Sequence, residues 1–417
     1  MKYKIISFLS ILVFSFCFWS SSVYATTPSV TTLGNGSTDY IVPACSFDGC
    51  ANFPYGVELV FNVTPDENSQ NNITNAISSG ANTDELNYTW VENVLEIYSH
   101  TPVIFDEDIV VNVSDGVDSA ELTLIDSSDI SSFDILFSGG DGSEISPLQI
   151  ETCEQLQNIN YFALGYYSFI LNNDIDCSET EQWNDGAGFL PLGYTNDDDN
   201  SIGYGNTFSG NFDGNNKTIS NLFINRPYFI DVGLFGYVGD WDDGAISIKD
   251  LTIDNADITG YSSVGILAGV VYENGVETVI SNVHTSGSVV ETNNELVATS
   301  VGGLVGDLYD SKITESSSSA NVEGFYSVGG LVGYSYGSHI EDSYATGDVS
   351  GYQYVGGLVG HNNALRTIIN SYATGDVVGQ NSVGGLVGYN TGDNIALSYA
   401  TGNVSGLTKI GGLVGEN

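Results

Sequence analysis

The sequence predicts an all-β protein in which a parallel β-solenoid follows an immunoglobulin-like or cadherin-like β-sandwich. Three observations predict it. A Gly-Gly-Leu-Val-Gly motif returns with its first glycine at Gly302, Gly329, Gly356, Gly384 and Gly411, at intervals of 27, 27, 28 and 27 residues. Between the copies lie short runs of Val, Ile, Leu, Tyr and Thr bounded by Gly, Asn, Asp and Ser, the composition of strands and tight turns. Residues 26–130 lack the motif and alternate apolar with polar residues in short stretches instead.

The chain opens with a segment that is read apart from the fold. Lys2 and Lys4 precede a mostly apolar run over residues 5–19, and Val23-Tyr24-Ala25 supplies a small-x-small cleavage site. That layout predicts a secretory signal peptide over residues 1–25. A lipid anchor on Cys17 is disfavoured, because Phe16 stands where a small residue is needed. No later stretch has about 18 consecutive apolar residues, so no membrane-spanning helix is expected.

Charge narrows the range of partners. The whole chain carries 8 Lys plus Arg against 52 Asp plus Glu, a formal net charge of −44. Removing the leader with its two lysines leaves six basic residues and makes the balance more acidic still. Such a chain repels nucleic acid and anionic membrane. With 41% hydrophobic residues it is not a disordered acidic tail. Four cysteines follow the leader: Cys45, Cys50, Cys153 and Cys177. Four cysteines allow three pairings, and proximity favours Cys45 with Cys50 and Cys153 with Cys177. Secretion makes disulfides the expected state, and a zinc site is disfavoured because no His lies near either pair.

In the first domain, residues 57–63 and 109–113 alternate as strands. Ser114-Asp115-Gly116 reads as a turn leading to a further strand over 120–125. That is a hairpin pattern suited to a sandwich. Residues 131–146, with Ser138-Gly139-Gly140-Asp141-Gly142-Ser143 at their centre, read as a linker. Residues 147–200 read as the approach to the solenoid and its N-terminal cap. Thr152 and Gln155 match a capping box, and Leu156 with Ile159 gives a short apolar face. A helix there would cover the open end of the solenoid, tied by Cys153–Cys177 to the strand around 169–171, with about 3 kcal/mol expected from the closed loop.

The solenoid proper is expected over 201–417. A second motif alternates with the first: Ser343-Tyr344-Ala345-Thr346-Gly347, then Ser371 to Gly375 and Ser398 to Gly402. Each is followed by Asp348-Val349, Asp376-Val377 or Asn403-Val404, and residues 316–322 form a weaker copy ending in Asn321-Val322. Degenerate glycine motifs at 264–269 and 232–236 bring the array to about seven units. The step from Gly265 to Gly302 is 37 residues, an insertion of about ten, placed at residues 290–299. No run has ten residues of helical period, and about 27 residues are too few for a propeller blade. One coil of two or three strands fits, stacked at about 4.8 Å on the next, so that identical residues form columns. The glycine column allows sharp turns and close packing, and Val and Leu fill the interior. Parity alone does not decide which of Leu358 and Val359 points inward, since both are apolar.

These repeats, Val-Gly-Gly-Leu-Val-Gly followed by Ser-Tyr-Ala-Thr-Gly-Asp-Val, resemble the GLUG-motif repeats of bacterial and archaeal surface proteins. Such repeats occur in adhesin-like proteins and in the non-catalytic part of some immunoglobulin A proteases. The approach is similar as well: residues 208–219 (Phe-Ser-Gly-Asn-Phe-Asp-Gly-Asn-Asn-Lys-Thr-Ile), then 221–224 and 233–236, and before them 150–156 and 173–177. The resemblance covers about 145–417 and implies a right-handed parallel β-helix-like solenoid. It is a scaffold signature and names no catalytic residue.

Candidate chemistry is sparse. The histidines are His100, His284, His339 and His361, with no His-Glu-x-x-His, so a zincin centre is excluded from this chain. His361 occupies the slot of Tyr334 and Tyr389 in neighbouring units and reads as a ladder residue. No Gly-x-Ser-x-Gly elbow and no P-loop is present. A polyuronate lyase would need clustered cations, whereas Lys217, Arg226, Lys249, Lys312, Arg366 and Lys409 are scattered. A glycosidase would need two carboxylates about 5–9 Å apart, which abundant acids could supply. Asn196-Asp197-Asp198-Asp199-Asn200 and Asp240-Trp241-Asp242-Asp243-Gly244 offer hard oxygens for calcium, though neither matches a known loop and solvated turns are the plainer reading. The Tyr344, Tyr372 and Tyr399 column reads as a stacking ladder, with a glycan-binding strip as its rival.

The reading is a secreted or cell-surface protein without enzymatic activity or cofactor, adhesive or structural in role. Its expected partners are cell-surface glycans or proteins, with no nucleic acid. The alternatives are a carbohydrate-active solenoid, the non-catalytic front of a larger metalloprotease, and a glycan- or calcium-binding module. Because the sequence stops at Gly415-Glu416-Asn417, just inside a new unit and without a capping repeat, a longer protein is expected.

Overall fold

The computed structural model describes residues 137–417 apart from 162–166, 194–206, 240–244, 273–277, 293–298, 364–365 and 393; over 31–126 it describes the strands alone. The leader, Cys45, Cys50 and the acidic loops 196–200 and 240–244 lie outside the described residues. Besides a two-stranded sheet, Asn52–Phe53 with Val103–Ile104, the described N-terminal strands form two four-stranded sheets. One joins Thr31–Thr32, Glu58–Thr64, Val94–Ser99 and Leu86–Val91 in that order. The other joins Ser37–Val42, Ser119–Asp126, Ile109–Ser114 and Asn75–Ser79. The expected pairing across 109–125 is present: Ser114 faces Ser119 in an antiparallel register that runs to Ile109 and Leu124.

From Leu148 onward every strand pairing in the ladders is parallel, and the chain winds as a solenoid of three sheets. A broad face of 19 strands is flanked by two narrow faces of seven strands each. The late coils show the unit plainly. Gln353–Gly356 lies on the first narrow face and Val359–Asn363 on the second. Thr367–Ile369, Tyr372–Ala373 and Val377–Val378 then cross the broad face before Asn381–Gly384 begins the next coil. Seven strands on each narrow face match the seven glycine motifs.

Stacking places like on like. Val301, Val328, Val355, Val383 and Ile410 form one column, and Val305, Val332, Val359, Val387 and Val414 another. On the broad face Ile313, Ile340, Ile368 and Ile395 align, as do Val322, Val349, Val377 and Val404. The question of Leu358 and Val359 resolves in favour of both, since each is fully buried. A bend at Gly357 and Leu358 separates the two narrow faces, so strict alternation does not cross the corner.

The motif glycines act by close approach. None of Gly302, Gly329, Gly356 and Gly384 has a left-handed φ, yet a Cβ there would lie 1.9–2.1 Å from the carbonyl oxygen three residues on. A Cβ on the second glycine would strike the next coil: Gly357 would meet Gly385 O at 2.2 Å. The left-handed backbone falls instead mainly on two other columns: Asp250, Asn282, Glu315, Asp342, Asn370 and Leu397, and, two residues before the motif glycine, Asp231, Ser263, Tyr354, Ser382 and Lys409. Asn and Asp tolerate this conformation best.

The insertion is divided. Tyr272 pairs with Tyr309 and Val279 with Lys312, so seven positions are traversed where three suffice in the next coil. Val290 pairs with Glu323 and Ser300 with Ser327, so ten are traversed where four suffice. The expected site at 290–299 therefore holds only the larger share, and Val290 and Glu291 themselves belong to the strand Val279–Glu291. Register is kept on all three faces because the extra residues fall between paired strands, not within them.

At the start, Thr152 caps the helix Cys153–Asn158 (α1) by accepting from Gln155 N–H at 3.2 Å. The Gln155 amide oxygen accepts from Glu151 N–H at 2.7 Å, one residue before the cap. Leu156 and Ile159 are fully buried in the common core. Cys153 bonds Cys177, which follows the strand Ile175–Asp176 rather than the strand Ser168–Leu171. The stretch 138–143 is bound to the first coil: Ser138 N–H donates to Gln149 O at 2.9 Å and Gln149 N–H to Gly139 O at 2.8 Å. It is a packed turn with Gly139, Gly140 and Gly142 at positive φ, and a Cβ on Gly140 would lie 2.0 Å from Pro147 O.

Candidate functional site

The broad face carries the Ser-Tyr-Ala-Thr-Gly-Asp-Val motif, and strand parity decides what it presents. In the coil at 343–349, Ala345, Gly347 and Val349 are buried, while Tyr344 is half-buried and Thr346 and Asp348 are exposed. Three solvent-facing columns result, of Tyr, Thr and Asp or Asn. The Tyr column and the Asp or Asn column are largely occupied with their own neighbours.

The tyrosines stack face to face: Tyr344 and Tyr372 have centroids 4.8 Å apart at 0°, and Tyr372 and Tyr399 5.1 Å apart at 6°. Pairs of this kind contribute about 0.5–1.5 kcal/mol beyond burial. The faces that a sugar would need are thus turned toward one another inside the ladder. The acidic column is hydrogen-bonded rather than merely tolerated. Asp348 N–H donates to Asn321 Oδ1 at 3.2 Å, Asp376 N–H to Asp348 Oδ1 at 2.9 Å, and Asn403 N–H to Asp376 Oδ1 at 2.8 Å. The Asn403 backbone and side-chain donors hold the Asp376 carboxyl below the usual carboxylate range. Each carboxylate therefore caps the next coil's amide.

A serine column, unweighed in the sequence, proves structural. Ser316, Ser343 and Ser371 are buried. Each hydroxyl donates to the carbonyl two residues back, at 2.8, 2.7 and 2.8 Å. Each also accepts the amide of the coil before, as in Ser316 N–H to Ser343 Oγ at 3.2 Å and Ser343 N–H to Ser371 Oγ at 3.2 Å. The recurrence of Ser at one motif position was the available signal.

The narrow faces carry a second group. His361 stands in one column between Tyr334 and Tyr389, as expected. Its ring lies 5.0 Å from Tyr334, 5.2 Å from Tyr354 and 4.8 Å from Tyr389. Nε2 is buried without a partner, and burial holds the imidazole down at about 4. Two steps up the same column, beyond Tyr334, Asp307 is buried and accepts from Ser263 Oγ at 2.7 Å. Desolvation pushes its pKa up, against the hydrogen bonds from Ser263 and Ser300. Glu291 is also buried; Oε2 accepts Phe325 N–H at 2.7 Å, and desolvation raises its pKa to about 7. Neither acid carried a sequence signal, because a single Asp or Glu inside a strand looks like its exposed counterparts.

The remaining expected residues are dispersed. Lys249, Lys312 and Lys409 pair with Asp213, Glu341 and Glu416 on different coils. Arg226 is buried, donating to the carbonyls of Phe189 and Gly188. Among the described residues no group of three His, Cys, Asp or Glu side chains is placed to hold a metal ion, and no helix is long and apolar enough to cross a membrane.

Comparison with known proteins agrees with this architecture. Residues 326–350, 351–378 and 379–405 each match the GLUG motif. Halomucin of Haloquadratum walsbyi is 40% identical over 132 residues, 31% of this chain and 1% of halomucin. A candidate Gly-rich membrane protein of Evansella cellulosilytica is 38% identical over 136 residues, 32% of this chain and 14% of that protein. The chain thus spans only a small part of the length of these relatives. The crystal structure of a candidate immunoglobulin A1 protease from Bacteroides ovatus superposes with a TM-score of 0.50 at 22% identity, covering 65% of this chain and 80% of that one. That likeness concerns the fold.

Proposed function

We propose that this chain is an extracellular or cell-surface repeat protein that serves as a scaffold for contact, without catalytic activity of its own. The observation that carries the reading is the use made of the broad face. Its tyrosines, carboxylates and serines are spent on one another, coil to coil, which is how a stiff presenting surface is built. The leader at 1–25, the acidic balance and the halomucin and membrane-protein relatives support an extracellular setting. The two N-terminal four-stranded sheets, one of which pairs Ser37–Val42 in parallel with Ser119–Asp126, support reading 26–130 as an immunoglobulin-like sandwich displayed by the solenoid. We read the winding as right-handed, the hand favoured for parallel β-crossovers.

The test is attachment. Beads coated with the purified chain, and cells lacking its gene, are compared for adhesion to host or neighbouring cells. Gain of adhesion by the beads and loss by the cells is the expected result. Unchanged attachment and unchanged surface assembly in the deletion strain would remove the proposal.

A further inference from the structure

The tyrosine ladder has a beginning, and the place where it begins is shaped like one missing rung. The column on the broad face runs Thr252, His284, Ser317, Tyr344, Tyr372, Tyr399, each paired in register with the next. Three rungs are aromatic and stacked. At Ser317 the slot holds only a hydroxymethyl group, so the ring face of Tyr344 that is turned away from Tyr372 looks into open space. His284 stands on the far side of that space. Two strand spacings, about 9.6 Å, separate the His284 and Tyr344 backbones. Ser317, nearly buried, is the floor. The depression has a volume of about 470 Å³ and includes Asp254, Ser286, Ser319 and Thr346 on the adjoining outward column.

We infer that this notch is a saccharide subsite that takes one neutral pyranose ring, seated on the free face of Tyr344 above Ser317. Three features select that ligand class. The ladder spacing of 4.8–5.1 Å is that of rings in contact, so a ring in the Ser317 slot continues the stack. Aromatic faces take the C–H side of a sugar while its hydroxyls seek polar partners at the edge. Those partners stand along one side: Ser319 and Thr346 hydroxyls, and the Asp254 carboxylate, which already accepts from Ser286 Oγ at 2.5 Å. His284 is held in place by Asn282 Oδ1 at 3.1 Å and Ser317 Oγ at 2.8 Å. Because Oδ1 accepts only, Nε2 donates to Asn282, and Nδ1 shares the other hydrogen bond with the Ser317 hydroxyl. The net charge of −44 selects against uronates and sialylated chains and leaves neutral sugars. The inference gives the adhesive reading a ligand and rests on that reading only for its biological use.

The sequence of the neighbouring coils supplies the decisive variant. Ser317→Tyr adds the rung that Tyr344, Tyr372 and Tyr399 already make, so the fold accepts it while the notch is filled. The full chain is titrated with methyl glycosides of glucose, galactose, mannose and N-acetylglucosamine and with their β-linked disaccharides, read by saturation-transfer NMR. At least one saccharide is expected to bind the wild type, and Tyr344→Ser and Ser317→Tyr are each expected to weaken it at least about tenfold. Unchanged circular dichroism and melting temperature of Ser317→Tyr confirm that the loss is local. Binding of no saccharide, or equal binding by wild type and Ser317→Tyr, overturns the subsite. If Ser317→Tyr beads adhere to cells as well as wild type does, the subsite is overturned as the adhesive contact while the scaffold reading stands. If neither adheres but sugar binding is lost in the variant, the subsite stands and the adhesive reading falls.

Discussion

The coils before residue 292 and those after 300 do the same geometric work by different means. The early coils cross the broad face in long unbroken strands, Ser247–Gly260 and Val279–Glu291. Among the described residues the largest fully buried side chains, Phe189, Phe208, Phe212 and Phe235, all belong to the front of the array, where Phe208 and Phe235 meet at 4.6 Å and Phe212 and Phe235 at 5.5 Å. The late coils break the same path into three short strands and fill the interior with Val, Leu, Ile and Ala in columns. Bulky, irregular packing needs no repetition in the sequence. Small, identical side chains stacked in register do, because each coil is completed only by its copies. Repetition is therefore strongest where the core is thinnest.

The largest expected effect tests the front of the array. Phe212→Ala should cost about 4 kcal/mol, since the fully buried ring packs edge-on against Phe235 and its loss leaves a cavity. A two-state fit of that variant's front coils by hydrogen exchange should show the loss there first. Gly357→Ala should come next, at about 3 kcal/mol, because its Cβ would meet the Gly385 carbonyl at 2.2 Å. Wild-type stability of Gly357→Ala would mean that contact between coils does not explain the motif.

Ser343→Ala should cost about 1–2 kcal/mol, because it leaves the Ser316 amide buried without an acceptor. Exchange of the Ser316 amide should accelerate more than that of its neighbours. The remaining effects concern pH and are confined to the windows that the shifted groups set. His361 is held at about 4, below its ordinary value of 6.5, so its contribution is full above 6.5 and lost as pH falls toward 4. Glu291 is raised from 4.5 to about 7, so its contribution is full below 4.5 and lost as pH rises through 7. His361→Tyr, which restores the residue of the adjoining coils, should flatten the acid arm of a melting-temperature profile. Glu291→Gln should flatten the arm between 4.5 and 7. An unchanged profile in either variant would show that the group is hydrated when folded.

Much of the late half was legible because a solenoid converts sequence period into spatial column. Knowing that Gly329 and Gly356 are one coil apart was enough to place His361 beside Tyr334 and Tyr389, and Asp376 beside Asp348. The tyrosine ladder followed from the same step. The insertion was half legible. Its total length is visible in the spacing of Gly265 and Gly302, but its division between two corners is not, because loops at different corners lengthen the coil equally. The cap was legible in Thr152 and Gln155, whereas the strand that Cys177 follows was set by how the chain returns across the sheet.

What the sequence determined by itself was the period, the parallel stacking and the identity of the columns, since these depend only on which residues recur and how far apart. What the tertiary structure decided was the direction and surroundings of each column. Corners interrupt alternation, so Leu358 and Val359 both turn inward. Burial separates Asp231, Asp307 and Glu291 from the other acids among the described residues, which share their chemistry. The empty rung at Ser317 exists only because Tyr344 stacks on one face, and a stack is a relation between coils that no single unit of the sequence contains.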